Sequence, residues 1–228
     1  MPYFFDPMLM LVTLPAVLLA MWAQVRVKST FAAASQVPAN LSGAAAARYV
    51  LDSAGLQNVM IEQVPGQLSD HYDPRTKVLR LSSDVYNRRS MAAVGIAAHE
   101  AGHAIQDATR YAPLVVRNAA VPLANVGTGS AGLLFMIGLS FPPLLILAIL
   151  LFAAGVFFQL VNLPVEFDAS RRAKKQLVEL GVVAPNDMGP VNKVLNAAAW
   201  TYVAATLQVV LTLLYLVMRF VGSQSSDD

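Results

Sequence analysis

At residues 97–103 the chain reads AAHEAGH, a run of the form H-E-x-x-H. On an α-helix, residues four apart lie about 6 Å apart along the axis and on the same face. His99 and His103 can therefore direct their imidazoles at one metal ion. Zinc held by imidazoles and a carboxylate, with one position left for water, is the usual hydrolytic arrangement. Glu100 follows the first histidine and is placed to act as general base on that water.

The alternative is that these histidines are ordinary residues of an apolar helix. The chain has only three histidines, however, and two of them stand in this run. Burial of an unpaired carboxylate costs free energy. A glutamate between two histidines in an apolar helix therefore favours a metal site.

The composition differs from that of a soluble protein. Hydrophobic residues make up 56% of the chain and charged residues 13%, which is about half the usual share of charge. The net charge of +2 does not indicate nucleic-acid binding, since no basic run is interleaved with aromatic residues. The chain contains no cysteine, which excludes disulfides and thiolate zinc sites. A metal ion must therefore be held by His, Asp or Glu.

Long apolar runs alternate with polar segments along the chain. A run of about 20 apolar residues is long enough to cross a bilayer as a helix, and four such runs are present. We therefore predict an α+β membrane protein with four transmembrane helices. Its segments in order are a transmembrane anchor at 3–23, an α+β catalytic region with the HEAGH helix at 24–120, a transmembrane hairpin at 121–163 (spans 121–140 and 144–163), a helical segment at 164–199, a transmembrane helix at 200–221 and a polar tail at 222–228.

Local patterns predict the elements of the catalytic region. Residues 42–53 are predicted to be a helix with Ser42 as N-cap, and residues 59–64 a strand. Residues 68–82 are predicted to be a β-hairpin, and the HEAGH helix to run from its N-cap Ser90 to about Thr109. The second strand of the hairpin is either a sheet edge on which an extended peptide pairs or an ordinary interior strand.

The basic residues predict the orientation in the membrane. Ten Lys and Arg residues lie between Arg26 and Arg117 and five between Arg171 and Lys193, out of sixteen in the chain. Fifteen of them fall on one side of the four-span arrangement, and an excess of basic residues marks the cytoplasmic side. The HEAGH helix is therefore expected to face the cytoplasm.

Catalytic zinc usually has three protein ligands, so a third is expected beside the two histidines. Glu166 follows the transmembrane hairpin, which returns the chain to the side of the HEAGH helix, and it lies in a new helix predicted to begin at Pro164. His71, in the predicted β-hairpin, is the other candidate. The residues alone leave both open.

Three motifs carry a resemblance to a known family: AAHEAGHAIQ at 97–106, DHYDPRTK at 70–77 and LPVEFDASRRA at 163–173. Over most of its length the chain resembles the YugP-type neutral zinc metallopeptidases, which are bacterial membrane proteins. It is similar, more distantly, to the HtpX group of membrane metallopeptidases. The resemblance implies Zn²⁺ as the cofactor, His99, His103 and Glu166 as its ligands, and Glu100 as the base. It also implies a small, zincin-like cytoplasmic catalytic region in a multi-pass protein of the bacterial inner (cell) membrane.

The chain departs from the HtpX pattern at one position. In that group an aspartate four residues after the ligand glutamate steadies a histidine ligand, and the matching residue here is Ser170. Asp168 lies about 200° round the helix from Glu166. A serine can accept an imidazole N–H, though more weakly than a carboxylate, so Ser170 and Asp168 both remain candidates for this role. Arg171 and Arg172 are expected to be solvated or to contact lipid headgroups.

A peptidase also needs a donor to the oxyanion of the tetrahedral intermediate. His71 and its neighbour Tyr72 are the candidates, and His71 is taken as the catalytic one. The alternative is that His71 is an ordinary polar residue of a hairpin.

These observations predict a membrane-embedded zinc-dependent endopeptidase, with a peptide or protein substrate and the lipid bilayer as its partners. Membrane proteins or unfolded chains are the expected substrates. The alternative is a membrane scaffold or adaptor with a structural or degenerate metal site, which the departure at Ser170 favours. A metal transporter is disfavoured, because no predicted span carries a ligand-type residue near its centre.

Overall fold

The computed structural model of the chain describes residues 6–138 and 141–224. The helices and strands of this part are, in order, α1 (Pro7–Ser35), α2 (Gly43–Ser53), β1 (Met60–Val64), β2 (His71–Asp73), β3 (Val78–Ser82), α3 (Ser83–Asn87), α4 (Met91–Ala108), α5 (Ala112–Gly138), α6 (Pro142–Glu179) and α7 (Gly189–Gln224). A 3₁₀ turn at Pro185–Asp187 precedes α7. The described chain is mainly helical with a small sheet, in keeping with the predicted α+β character.

Within the described residues, three helices are long and apolar enough to cross a membrane: Pro7–Ser35, Leu144–Glu179 and Gly189–Gly222. They contain the predicted spans at 144–163 and 200–221 and most of the one at 3–23. Residues 3–5 of the first span, 139 and 140 of the span at 121–140, and 225–228 of the polar tail lie outside the described residues. The four-span arrangement therefore stays a prediction.

The prediction that a new helix begins at Pro164 is wrong. α6 runs without interruption from Pro142 to Glu179, with Pro164 inside it. A proline inside a helix removes one backbone hydrogen bond, but membrane helices tolerate this loss because neighbouring groups satisfy the freed carbonyl. Glu166 therefore stands on the same helix as the predicted span at 144–163.

The sheet of the described chain has the strand order β1-β3-β2, so β3 lies in the middle. β3 pairs with β1 in parallel and with β2 in antiparallel orientation. The interpretation of the second hairpin strand as a sheet edge is therefore wrong. Val78, Leu79 and Leu81 of β3 are all buried. Burial on both faces explains why this strand lacks a regular alternation of polar and apolar residues.

The chain forms two compact units, and one of them comprises Ala23–Leu114 and Val165–Trp200. The other holds the first part of α1, α5 from Val115, α6 up to Pro164 and α7 from Thr201. The core of the first unit consists of small and branched apolar side chains from α2, β3, α4, α6 and α7. Its buried members include Ala46, Val50, Leu51, Leu79, Leu81, Val94, Ala97, Ala98, Ala101, Ala173, Leu177, Val191 and Leu195.

The two helix starts predicted in this unit are confirmed. The Ser42 hydroxyl accepts a hydrogen bond from the backbone N–H of Ala45, and the Ser90 hydroxyl accepts one from Ala93, both at 3.3 Å. Each serine satisfies a backbone donor that the first turn of a helix leaves without a partner. The cap at Ser90 fixes where α4 begins, and hence the rotation at which α4 presents its later residues.

Candidate metal centre

The first two residues of the centre, His99 and His103, lie one turn apart on α4. Their rings meet edge to face, with centroids 4.8 Å apart and an interplanar angle of 86°. Because residues four apart share a helix face, both imidazoles leave α4 in the same direction. The structure therefore confirms that the H-E-x-x-H spacing brings the two rings together.

The third residue is Glu166 of α6, which is 5% exposed. Its Oε2 atom lies 3.3 Å from His99 Nε2 and 3.6 Å from His103 Nε2. The same oxygen is buried and makes no hydrogen bond of good geometry within the described residues. A buried carboxylate oxygen without a donor costs free energy. A cation between this oxygen and the two ring nitrogens would remove that cost.

The donor set of these three residues fits zinc. His99, His103 and Glu166 each offer one ligand atom, and the three atoms lie within 4.8 Å of one another. Two imidazoles and one carboxylate are the ligands of many catalytic zinc sites, which keep a fourth position for water. Of the two candidates for the third ligand, the described structure brings Glu166 to the histidines and leaves His71 outside this group.

Close packing of α4 against α6 makes this meeting possible. A Cβ atom on Gly102 would lie only 2.8 Å from the carbonyl oxygen of Ala169. Any larger residue at position 102 would therefore force the two helices apart. Gly102 stands next to His103, and Ala169 follows Glu166 by three residues, so the closest approach of the helices lies beside the ligand residues.

Gln106 supports His103, and sequence reasoning missed this residue. Its side chain is fully buried at 0% exposure. Its Oε1 atom lies 3.0 Å from His103 Nδ1, and its Nε2 atom donates to the Val165 carbonyl at 2.8 Å and to Asp168 Oδ2 at 3.0 Å. A signal was present: a glutamine one turn after His103 shares the side of the helix that carries the histidine, and a buried glutamine there needs a hydrogen-bond partner.

Ser170 supports the other histidine, since its Oγ atom lies 3.1 Å from His99 Nδ1. Asp168 instead contacts Gln106, pairs with Arg171, and accepts a hydrogen bond from Arg172 Nε at 2.5 Å. Arg171 is exposed, as predicted for a solvated side chain, although it also pairs with Asp168. Arg172 is only partly exposed and pairs with the same buried carboxylate, so the prediction that it is simply solvated or bound to headgroups is wrong. Ser170 thus contacts His99 directly, whereas Asp168 is connected to His103 only through Gln106.

The electrostatics of the centre favour positive charge. Burial alone would lower the pKa of His103, but the nearby Glu166 carboxylate and the charge of Glu100 outweigh it, and the pKa of His103 is raised above its usual value. Glu100 is itself buried, at 9% exposure. It follows His99 directly on α4. The carboxylates of Glu166 and Glu100 therefore both favour positive charge at His103.

The candidate oxyanion donors lie on β2. His71 is exposed, and its Nδ1 atom lies 2.8 Å from the carbonyl oxygen of Ser69. Tyr72 packs against the core, and its hydroxyl donates to Asp107 Oδ2 on α4 at 2.8 Å. Burial and the contact with Asp107 raise the pKa of Tyr72, so its hydroxyl stays protonated. Because side chains alternate along a strand, His71 projects from the opposite face of β2, and its catalytic role stays a prediction.

Comparisons with known proteins agree with this geometry. Residues 9–221 match a family described as "Putative neutral zinc metallopeptidase". The chain is also 47% identical over 219 residues to "Putative membrane protease YugP" of Bacillus subtilis (strain 168), covering 94% of this chain and 97% of that protein. No solved structure is a significant match to the chain. The predicted resemblance is thereby confirmed, and the chain belongs to the "Putative neutral zinc metallopeptidase" family.

Proposed function

We propose that the chain is a zinc-dependent endopeptidase of the bacterial inner membrane with its active site facing the cytoplasm. The observation that carries the proposal is the Glu166 oxygen, which is buried, lacks a hydrogen bond within the described residues, and faces two histidine nitrogens at 3.3 and 3.6 Å. His99, His103 and Glu166 would hold zinc. Bound there, zinc would supply Lewis acidity toward water and the scissile carbonyl.

The protein's own groups would carry the proton. Glu100 would take a proton from the attacking water on a carboxylate oxygen and pass it to the nitrogen of the leaving amine. An oxyanion donor from β2 belongs to the proposal as well. The Tyr72 hydroxyl already donates its one proton to Asp107 Oδ2 and would have to leave that partner to serve, whereas His71 is exposed and would act from the opposite face of the strand.

The membrane setting has separate support. Three helices of the described chain are long and apolar enough to span a bilayer, and the similar Bacillus subtilis protein is named a membrane protease. The concentration of basic residues around the catalytic segments supports the cytoplasmic orientation. Membrane proteins and unfolded chains are the proposed substrates, since a centre near the end of an apolar helix would meet them first.

The test compares wild-type protein with Glu100→Gln, both purified in detergent. Zinc per chain and cleavage of fluorescently labelled, unfolded casein are measured on the same samples. We expect one zinc per chain in both proteins and a loss of cleavage in Glu100→Gln of about 10²- to 10⁴-fold, the usual contribution of a general base. Comparable cleavage by the two proteins would refute the role of Glu100, and a wild type without zinc would refute the metal centre.

The scaffold alternative loses its main support. It depended on Ser170, which stands where the HtpX group has an aspartate and which was expected to form a weaker hydrogen bond to a histidine ligand. The Ser170 hydroxyl lies 3.1 Å from His99 Nδ1, and His103 has a separate partner in Gln106. Both histidines are therefore supported, as a working centre requires.

A further inference from the structure

We propose that Gln106 is a positioning residue of the metal centre. It holds His103 in the tautomer whose free lone pair is on Nε2, and at the same time it ties α4 to the backbone beside Glu166. This inference rests on the proposed zinc centre and adds a residue to it. The hydrogen bonds around one buried amide carry it.

The orientation of the Gln106 amide follows from its neighbours. One of its terminal atoms lies 2.8 Å from the Val165 carbonyl oxygen and 3.0 Å from Asp168 Oδ2. Both of these atoms can only accept hydrogen bonds at neutral pH. The terminal atom that faces them must therefore be the amide nitrogen, and the amide oxygen must face His103 Nδ1 at 3.0 Å.

The orientation of the amide then decides the state of the imidazole. An amide oxygen can only accept, so Nδ1 of His103 must carry the proton in this contact. The lone pair of a neutral ring is then on Nε2, which is the atom that points toward Glu166 Oε2. Histidine ligands usually have their tautomer fixed by such a partner.

The same side chain also connects the two ligand-bearing helices. Gln106 and His103 belong to α4, whereas Val165 precedes the ligand residue Glu166 on α6. The bond from the Gln106 amide to the Val165 carbonyl therefore fixes the backbone of α6 next to Glu166. A single residue thus sets the orientation of one ligand and the position of another.

Within the described part of the chain, His99 has no partner equivalent to Gln106. Its partner is the Ser170 hydroxyl, which can either donate or accept because its proton rotates. That contact holds the ring but does not select a tautomer. We therefore expect Ser170 to contribute less to the metal centre than Gln106, although each residue contacts one histidine ligand.

The first test measures zinc affinity by competition with a chelator, using the full-length protein in detergent. Gln106→Met keeps the length and volume of the side chain but removes both polar atoms, and Ser170→Ala is the matched control at the other histidine. We expect Gln106→Met to bind zinc about 10- to 100-fold more weakly than wild type, and Ser170→Ala to lose less. Thermal unfolding of each protein shows whether the fold is retained.

The second test begins with the wild-type protein and needs Gln106→Met only for comparison. Selective ¹⁵N labelling of histidine gives signals from only three residues; His71→Gln assigns His71, and the signal that Ser170→Ala shifts is assigned to His99, which leaves His103. In the zinc-loaded wild type we expect a His103 ring with its proton on Nδ1, slow to exchange with solvent. Gln106→Met should accelerate this exchange and leave the His99 signal in place, an effect that loss of fold stability alone does not produce selectively.

The outcomes separate this inference from the proposed function. Wild-type affinity in a folded Gln106→Met protein, or a zinc-loaded wild type in which the His103 proton is on Nε2, would overturn the inference and leave the zinc centre standing. If Gln106→Met fails to fold, the second result still decides. A wild type that binds no zinc would overturn the proposed function, and the role of Gln106 with it.

Discussion

Glu166 and Asp168 lie two residues apart on α6, and both carboxylates are almost fully buried, at 5% and 4% exposure. Their partners differ. Asp168 accepts hydrogen bonds from Gln106 and Arg172 and pairs with Arg171. Oε2 of Glu166 has no hydrogen bond within the described residues and faces the nitrogens of two imidazoles instead.

This difference separates a structural carboxylate from a ligand. A buried charge is tolerated when donors or opposite charges surround it, and it destabilises the fold when they are missing. The protein itself provides the donors of Asp168, so that carboxylate can hold other residues in place. Within the described residues, one oxygen of Glu166 has only the two ring nitrogens at 3.3 and 3.6 Å, neither in hydrogen-bond geometry, and this is the arrangement expected of three ligands around a cation.

The largest effect is expected from Glu166→Gln. A neutral amide keeps the shape of the side chain but binds zinc poorly, so zinc affinity should fall by more than the roughly 10- to 100-fold typical of supporting residues. Metal analysis and chelator competition on detergent-purified protein measure this. A Glu166→Gln protein with wild-type zinc content would abolish the distinction between the two carboxylates.

A second large effect is expected from Gly102→Ala. The new methyl group would lie 2.8 Å from the Ala169 carbonyl, which should cost about 1–3 kcal/mol of unfolding free energy. It should also weaken zinc binding, because α6 must move away from α4 and take Glu166 with it. Asp168 keeps its two arginines during such a movement, since they belong to the same helix.

Gly43→Ala is the matched control for this prediction. A Cβ atom at Gly43 would lie 2.1 Å from the Val85 carbonyl, so this variant should also lower the unfolding temperature. The folded protein should nevertheless bind zinc as the wild type does. Equal losses of zinc affinity in the two glycine variants would show that the contact of Gly102 with Ala169 has no specific role.

Asp168→Asn is expected to change zinc affinity only slightly and to lower the free energy of unfolding clearly. The amide must turn its NH₂ group toward at least one of the three donors, and the lost hydrogen bonds should cost about 1–3 kcal/mol. The Val165 carbonyl still orients Gln106, so zinc affinity should change by much less than in Glu166→Gln. Thermal unfolding and zinc titration on the same sample check this, and a loss of zinc as large as that of Glu166→Gln would contradict it.

The smallest effect is expected from His71→Gln. His71 is exposed and lies outside the group formed by His99, His103 and Glu166 in the described structure. Zinc content and unfolding temperature should both stay at wild-type values. A loss of zinc in this variant would restore His71 as a candidate third ligand.

The sequence predicts best what depends on neighbouring residues. The H-E-x-x-H spacing and the Ser90 cap are local, and they were sufficient to predict α4 and the meeting of its two histidines. Glu166 could also be predicted, because the predicted membrane hairpin would return the chain to the same side and the family resemblance points to the same residue.

The contacts of the supporting residues could not be predicted in the same way. Gln106 meets Val165 across 59 positions of sequence, and no local pattern encodes such a distance. Arg172 resembles a fully solvated residue in the sequence, because no local pattern shows that the buried carboxylate of Asp168 lies beside it. Proline is common in the first turn of a helix, so the sequence around Pro164 predicts a helix start. That local rule does not take account of the neighbouring groups that satisfy the carbonyl freed by a proline inside a helix.

The donor set of the centre also determines which reagents can inactivate it. Two imidazoles and a carboxylate hold the proposed zinc, and the whole chain contains no cysteine. Oxidants and alkylating agents that act on thiolates therefore find no target among the ligands. Proteolysis by this protein should persist after treatment with a thiol-blocking reagent. Any activity in a purified sample that such a reagent removes comes from a different protease.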